Sequence, residues 1–159
     1  VAQWLPHIPG KRVSLAWAGS GSLKADSRRS IAPQRLRPLI SLPGFSFVSL
    51  QKGGPQAPRD FALLDLMDQV TDFADTAALI ANLDLVISVD TSVAHLAAAL
   101  GKPVWLLNRF AGCWRWLRGR DDSPWYPGLR LFTQTQRDDW DDVLARTCEA
   151  LKQRYAIGA

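Results

Sequence analysis

The densest group of chemistry-bearing residues is Asp90-Thr91-Ser92 with His95 just beyond it. A carboxylate, two hydroxyls and an imidazole follow directly on the apolar run LVISV and open the small-residue stretch AHLAAAL. If the run is a strand and the stretch a helix, Thr91 and Ser92 supply capping hydroxyls at an end whose first N–H groups have no intrahelical acceptor. Such an end is an anion pocket. His95 comes four residues after Thr91, on the same helical face and one turn deeper, where it either lines that pocket or packs as an ordinary histidine. Ala94, Ala97, Ala98 and Ala99 let the helix lie close to a sheet.

Two further segments also follow apolar runs. After Val13 to Trp17 comes AGSGSLKADSRRS, which has Gly19-Ser20-Gly21 but lacks the third, helix-opening glycine of a dinucleotide fingerprint. Its backbone donors, hydroxyls and the cations Lys24, Arg28 and Arg29 suit a loop that lies over phosphates, or a solvated surface loop. After Phe45 to Leu50 stand Gln51, Lys52, Gly53 and Gly54, where Lys52 can reach a phosphate or a ribose hydroxyl, or the four can form an exposed turn. Cys113 and Cys148 have no CxxC neighbourhood and read as free thiols of a reducing compartment. The aspartates at 138, 139, 141 and 142 read as the acidic first turn of a helix, not as a metal site. No Asp, His or Cys spacing suggests a metal.

These residues need a scaffold that gathers strand ends. The pattern gives strands near Val13 to Trp17, Phe45 to Leu50, Gln69 to Thr71, Leu85 to Val89, Val104 to Leu107 and Leu129 to Thr133, with helices over Pro33 to Ser41, Thr76 to Asn82, Thr91 to Leu100 and Asp139 to Tyr155. Continuous apolar runs such as LVISV and PVWLL imply strands buried on both faces. The fold class is therefore α/β, a doubly wound parallel sheet of about six strands with helices on both faces, and ligands of such sheets sit beyond the carboxyl ends of the strands.

Composition sets the outer limits. The chain has 159 residues, 47% hydrophobic and 21% charged, with a net charge of +4. That is one ordinary globular domain; disorder, collagen repeats and disulfide scaffolds are excluded. No apolar run approaches the roughly 20 residues of a membrane span and no signal segment opens the chain, so a cytoplasmic location is expected. The positive charge gathers in Lys24 to Arg37 and Arg109 to Arg120, which points to local anion sites and away from nucleic acid. Val1 in place of an initiator methionine suggests a piece of a longer protein.

The block SVDTSVAHLAAALGKPVW resembles the signature of the C-terminal domain of GT-B glycosyltransferases in the ADP-heptose:lipopolysaccharide heptosyltransferase family, glycosyltransferase family 9. FADTAALIANLDLVIS is similar to the helix and strand that lead into that signature, and RVSLAWAG to the first strand and its loop. The phrases RSI, FVSLQKG, WRWL and DSPWYP bring the chain nearest to the heptosyltransferase-like domains that follow tetratricopeptide repeats in bacterial proteins. The resemblance implies a Rossmann-like half of a two-domain fold that binds a nucleotide-diphosphate sugar as substrate, with no cofactor. It places Thr91 and Ser92 on the diphosphate with Asp90 and His95 shaping the pocket. Lys24 or the pair Arg28 and Arg29 act as mobile cations, Gln51 or Lys52 meet ribose or phosphate, and Phe73, Ala74, Asp75 and Thr76 border the nucleoside.

The same resemblance implies inverting, metal-independent transfer to a protein or glycolipid acceptor, with the general base on an N-terminal half absent from this chain. The isolated fragment is then expected to be inactive. The alternative is a degenerate, non-catalytic nucleotide-binding or scaffold domain attached to a repeat array. A nucleotide-sugar epimerase of the same architecture is a further rival, though no carboxylate pair points to it. Cys113-Trp114-Arg115-Trp116 and Trp125-Tyr126-Pro127 depart from the plainer heptosyltransferase pattern; they form a lid or acceptor-facing wall, or they pack against the missing half or the local core.

Overall fold

The computed structural model describes residues 8–21 and 26–156. Six strands form one sheet, β1 (Lys11–Ala16), β2 (Phe45–Ser49), β3 (Leu63–Asp65), β4 (Leu85–Val89), β5 (Val104–Asn108) and β6 (Leu129–Thr133), in the order β3-β2-β1-β4-β5-β6. Every pairing between them is parallel. β1 is central: Leu15 lies beside Ser49 on one side and Ile87 on the other. The chain steps outward through β2 and β3, then returns to the far side of β1 as β4. Loops leaving β1 and β4 therefore diverge, and a crevice opens between them.

Side-chain alternation divides the strands between two apolar layers. Val13, Leu15, Phe47, Ile87, Trp105 and Phe132 face one layer, closed by α2 (Arg37–Ile40) and α5 (Trp140–Tyr155). Val48, Val86, Val104, Leu106 and Leu131 face the other, closed by α3 (Phe73–Ala81) and α4 (Ser92–Ala99). All five residues of β4 and of β5 are buried, as their unbroken apolar runs require. The short α1 (Asp26–Arg29) follows β1.

Three expectations are corrected. The third strand is Leu63–Asp65, not Gln69 to Thr71. The Asp65 carboxylate accepts from Met67 N at 2.9 Å and turns the chain into a 3-10 turn over Met67–Gln69, so Val70 and Thr71 lie past the strand's end. The helix expected over Pro33 to Ser41 is a 3-10 turn (Pro33–Leu36) followed by α2, because Pro38 has no N–H with which to continue an α-helix through that point. The helix expected to begin at Thr76 begins at Phe73, where Asp72 caps it by accepting from Asp75 N at 2.9 Å.

The connection between β5 and β6 has no α-helix. A 3-10 turn, Trp114–Trp116, sits there, and Trp116 fills the space beside Ala94, Ala97, Leu106 and Leu131. The two thiols differ accordingly. Cys148 is buried on α5, and that burial pushes its pKa above the usual thiol value. Cys113 lies part-exposed, 3.1 Å from Arg115 Nη1. A thiol-reactive dye should label Cys113 rapidly in the folded protein and Cys148 only after denaturant is added; mass spectrometry of the labelled peptides checks this.

Candidate functional site

At the crevice between β1 and β4, Ala18, Gly19 and Ser20 form one wall and Thr91, Ser92 and Val93 the other. Arg29 and Lys52 complete a cleft of about 280 Å³. It lies at the carboxyl ends of the strands, at the point where strand order reverses.

Thr91 does not cap the helix it precedes. Ser88 Oγ donates to Val89 O at 2.7 Å, so in the 3.0 Å contact between Ser88 and Thr91 the Thr91 hydroxyl is the donor and Ser88 the acceptor. Asp72 and Asp139 each accept a backbone N–H at the start of α3 and α5, whereas α4 has no side-chain cap. The Ser92 and Val93 N–H groups are the first of α4, without intrahelical acceptors, and both residues line the cleft.

Arg29 is a fixed cation at the floor. Nη1 donates to Asp90 O at 2.7 Å, and Nη2 pairs with the buried Asp26 carboxylate. Gly19 is pressed onto that pair: a Cβ there would lie 2.7 Å from Arg29 Nη2. Lys52 is exposed and donates to Val70 O at 2.7 Å, which leaves two of its three ammonium protons for other partners.

Gln51 departs from expectation. It is 8% exposed, and its Oε1 accepts from Trp17 N and Ala18 N, both at 2.9 Å. Its Nε2 donates to Ala18 O at 3.1 Å and Gly53 O at 2.9 Å. That fills the hydrogen-bonding capacity of an amide. Gln51 ties the loop after β1 to the loop after β2 and has nothing left for a ribose.

Other expected residues lie elsewhere. His95 lines a neighbouring hollow with Trp114, Arg115, Trp125 and Tyr126, not the cleft at Thr91. Its ring stacks on Trp116 at 5.2 Å, Nδ1 is 3.0 Å from the Tyr126 hydroxyl, and Nε2 is 3.7 Å from Asp90 Oδ1. Arg28 turns away from Arg29 into a separate pocket. Phe73 is exposed, and Thr76 is buried with its hydroxyl on Asp72 O. Asp75 accepts from the hydroxyl and N–H of Thr71, which holds its carboxyl below the usual aspartate value. Lys24 lies outside the described residues. A larger cleft of about 410 Å³ adjoins the first, sharing Gln51 and Lys52 with it and running past Trp17, Pro55 and Asp65.

Comparison with known proteins gives a family match over part of the chain and a shared fold over nearly all of it. The model for glycosyltransferase family 9 (heptosyltransferase) matches residues 68–107, which hold α3, β4, α4 and most of β5. Protein FlbA of Caulobacter vibrioides is 34% identical over 167 residues, covering 96% of this chain and 27% of FlbA. The chain thus spans about a quarter of that relative's length. Escherichia coli heptosyltransferase WaaC, solved with ADP-2-deoxy-2-fluoro heptose, superposes with a TM-score of 0.58 at 19% identity, over 98% of this chain and 45% of WaaC. WaaC with ADP gives a TM-score of 0.55 at 18% identity, covering 98% and 46%.

The chain carries a glycosyltransferase family 9-like segment over residues 68–107. Its likeness to WaaC is one of fold, a six-stranded parallel sheet with helices. The segment matched to family 9 contains Asp90, Thr91, Ser92 and His95 together with Phe73, Asp75 and Thr76. Sequence reading placed Gly19 and Ser20 in a loop suited to phosphates or to the surface, without singling them out, and did not name Val93 as a cleft wall. Among the described residues no helix is long and apolar enough to cross a membrane, and no group of three His, Cys, Asp or Glu converges as metal ligands do.

Proposed function

We propose that the domain binds a nucleotide-diphosphate sugar in the cleft between β1 and β4, as the donor half of an inverting, metal-independent glycosyltransferase-like protein. The observation that carries this reading is the uncapped α4 N-terminus opening into a cleft edged by Lys52 and Arg29. The diphosphate lies against the N–H groups of Ser92 and Val93, where the helix dipole and both cations oppose its charge. The adjoining larger cleft past Lys52 gives room for the nucleoside. WaaC, whose fold the domain shares, is described with ADP and an ADP-sugar analogue, which supports a donor of this class.

Such a site would assist transfer by stabilising charge that develops on the departing diphosphate, from groups already held in place. Deprotonation of an acceptor hydroxyl needs a base within hydrogen-bond reach, and that base belongs to a partner half. The isolated domain therefore binds donor and does not turn it over.

Calorimetric titration of the 159-residue chain with ADP-, GDP- and UDP-sugars tests the reading. One of the three classes should bind. Ser92→Pro should keep the helix, because proline is favoured at the first helical position and Thr91 already has the extended backbone a proline needs before it. It removes one N–H and one hydroxyl, so affinity should fall about 10- to 100-fold, the equivalent of a lost hydrogen bond to a charged group. Lys52→Met should weaken binding about tenfold at low salt. Failure of every sugar to bind would favour the scaffold alternative.

A further inference from the structure

The pocket that receives Arg28 lies at the same sheet edge, beyond the ends of β5 and β6. Arg28, Arg109 and Arg137 line its about 250 Å³ together with Phe110, Gln134 and Asp138. None of the three guanidinium groups has an ion-pair partner among the described residues, whereas Arg29, the next residue after Arg28, is locked to Asp26. Three cations against one carboxylate leave a charge of +2 around one open hollow. Proteins ordinarily separate such groups or neutralise them, and a cluster left in this state attracts an anion.

The wall is built, not merely charged. Gln134 is 4% exposed; its Oε1 accepts from Phe110 N at 2.9 Å, and its Nε2 donor is buried without an acceptor among the described residues. Its backbone N–H donates to Asn108 O at 2.9 Å, so the strand ends are tied together under the loop. Arg137 sits 5.7 Å from the Phe110 ring, which restrains its guanidinium. Gly112 lies so close to Asn108 that a Cβ would come within 2.7 Å of its amide, which holds the loop carrying Arg109 to the sheet.

We infer that this pocket is a second anion site, made for a phosphate monoester. A monoester carries about −1.5 to −2 at pH 7, the complement of the pocket's charge, and its oxygens suit planar guanidinium donors. α1 separates this site from the donor cleft, with Arg29 on one side and Arg28 on the other. The inference does not depend on the donor reading, since the two sites have no lining residue in common.

Residue-resolved amide NMR titration of the full chain with inorganic phosphate, glucose 6-phosphate and glucuronate provides the test. The last two share a pyranose ring and differ in the anion attached. Glucose 6-phosphate should shift Phe110, Ala111, Gln134 and Arg137, and should bind at least fivefold more tightly than glucuronate. Arg137→Gln and Arg109→Gln, both on exposed or half-buried loop positions, should each weaken that binding at least fivefold and leave nucleotide-sugar affinity within twofold. Equal binding of glucuronate, an unchanged affinity in both variants, or no shift in these residues up to 20-fold excess over the protein would overturn the assignment.

Discussion

Replacing Trp116 with alanine should cost about 3–5 kcal/mol, the range for truncating a large buried aromatic, and should lower the melting temperature by about 10 °C in a domain of this size. Trp116 is 0% exposed and stands where neighbouring crossovers of the sheet use a helix. Its indole belongs to the apolar layer that holds the α4 alanines and the β5 and β6 side chains, and it stacks on the His95 ring. Alanine would leave a void under α4 that the short turn cannot collapse into. The indole Nε1 has no acceptor among the described residues, so Trp116→Phe sacrifices no hydrogen bond and should cost under about 1.5 kcal/mol. Trp114, two residues away and 72% exposed, should change stability by less than about 0.5 kcal/mol on truncation. Urea unfolding of the three variants separates these outcomes, and a similar loss for Trp114 and Trp116 would refute the account of this turn. Of the readings offered for the aromatic segment, packing in the local core holds for Trp116, while Trp114 and Trp125 stand exposed outside it.

The second large effect is expected at Gln51. Gln51→Leu keeps much of the volume and strips acceptors from the N–H groups of Trp17 and Ala18 and donors from two carbonyls. Each buried group left without a partner costs about 1–3 kcal/mol, so with four groups affected a loss of about 4 kcal/mol or more is expected. Donor affinity should fall as well, because the loops bearing Gly19 and Lys52 lose their tie. Gln51→Glu offers a sharper reading. A carboxylate still accepts both N–H groups but faces the Ala18 and Gly53 carbonyls, so the folded state favours the protonated acid and raises its pKa. Stability should therefore be closest to that of the natural protein below the ordinary glutamate pKa of about 4.3 and should be lost as pH rises through the raised folded value. Denaturation midpoints from pH 4 to pH 8 check the sign; a Gln51→Glu variant that gains stability relative to the parent with rising pH would contradict it.

How much was legible follows from where each signal resides. β4 and β5 announce themselves because strands buried on both faces need unbroken apolar runs. β3 does not, since a three-residue edge strand with one neighbour carries little pattern, and the β-branched pair Val70-Thr71 imitates a strand more closely than LLD does. Helix α4 and its position after a strand were readable from Asp90 to Leu100. The fate of the Thr91 hydroxyl was not, because it depends on Ser88 at the end of β4 having its own proton engaged by Val89 O. His95 likewise took its surroundings from Trp116 and Tyr126, far along the chain and brought to α4 only by tertiary packing. Arg28 and Arg29 looked equivalent as a pair of cations. One helical step of about 100° sends them to different pockets.

The central claim is that the uncapped start of α4 receives the donor diphosphate. It is tested most directly by amide chemical-shift mapping on the 159-residue chain, titrated with whichever of the ADP-, GDP- and UDP-sugars binds. The largest changes are expected at Gly19, Ser20, Ser92 and Val93, with smaller ones along Lys52 to Gly54. Changes confined to residues away from the β1 and β4 ends, with Ser92 and Val93 unmoved at saturation, would contradict it.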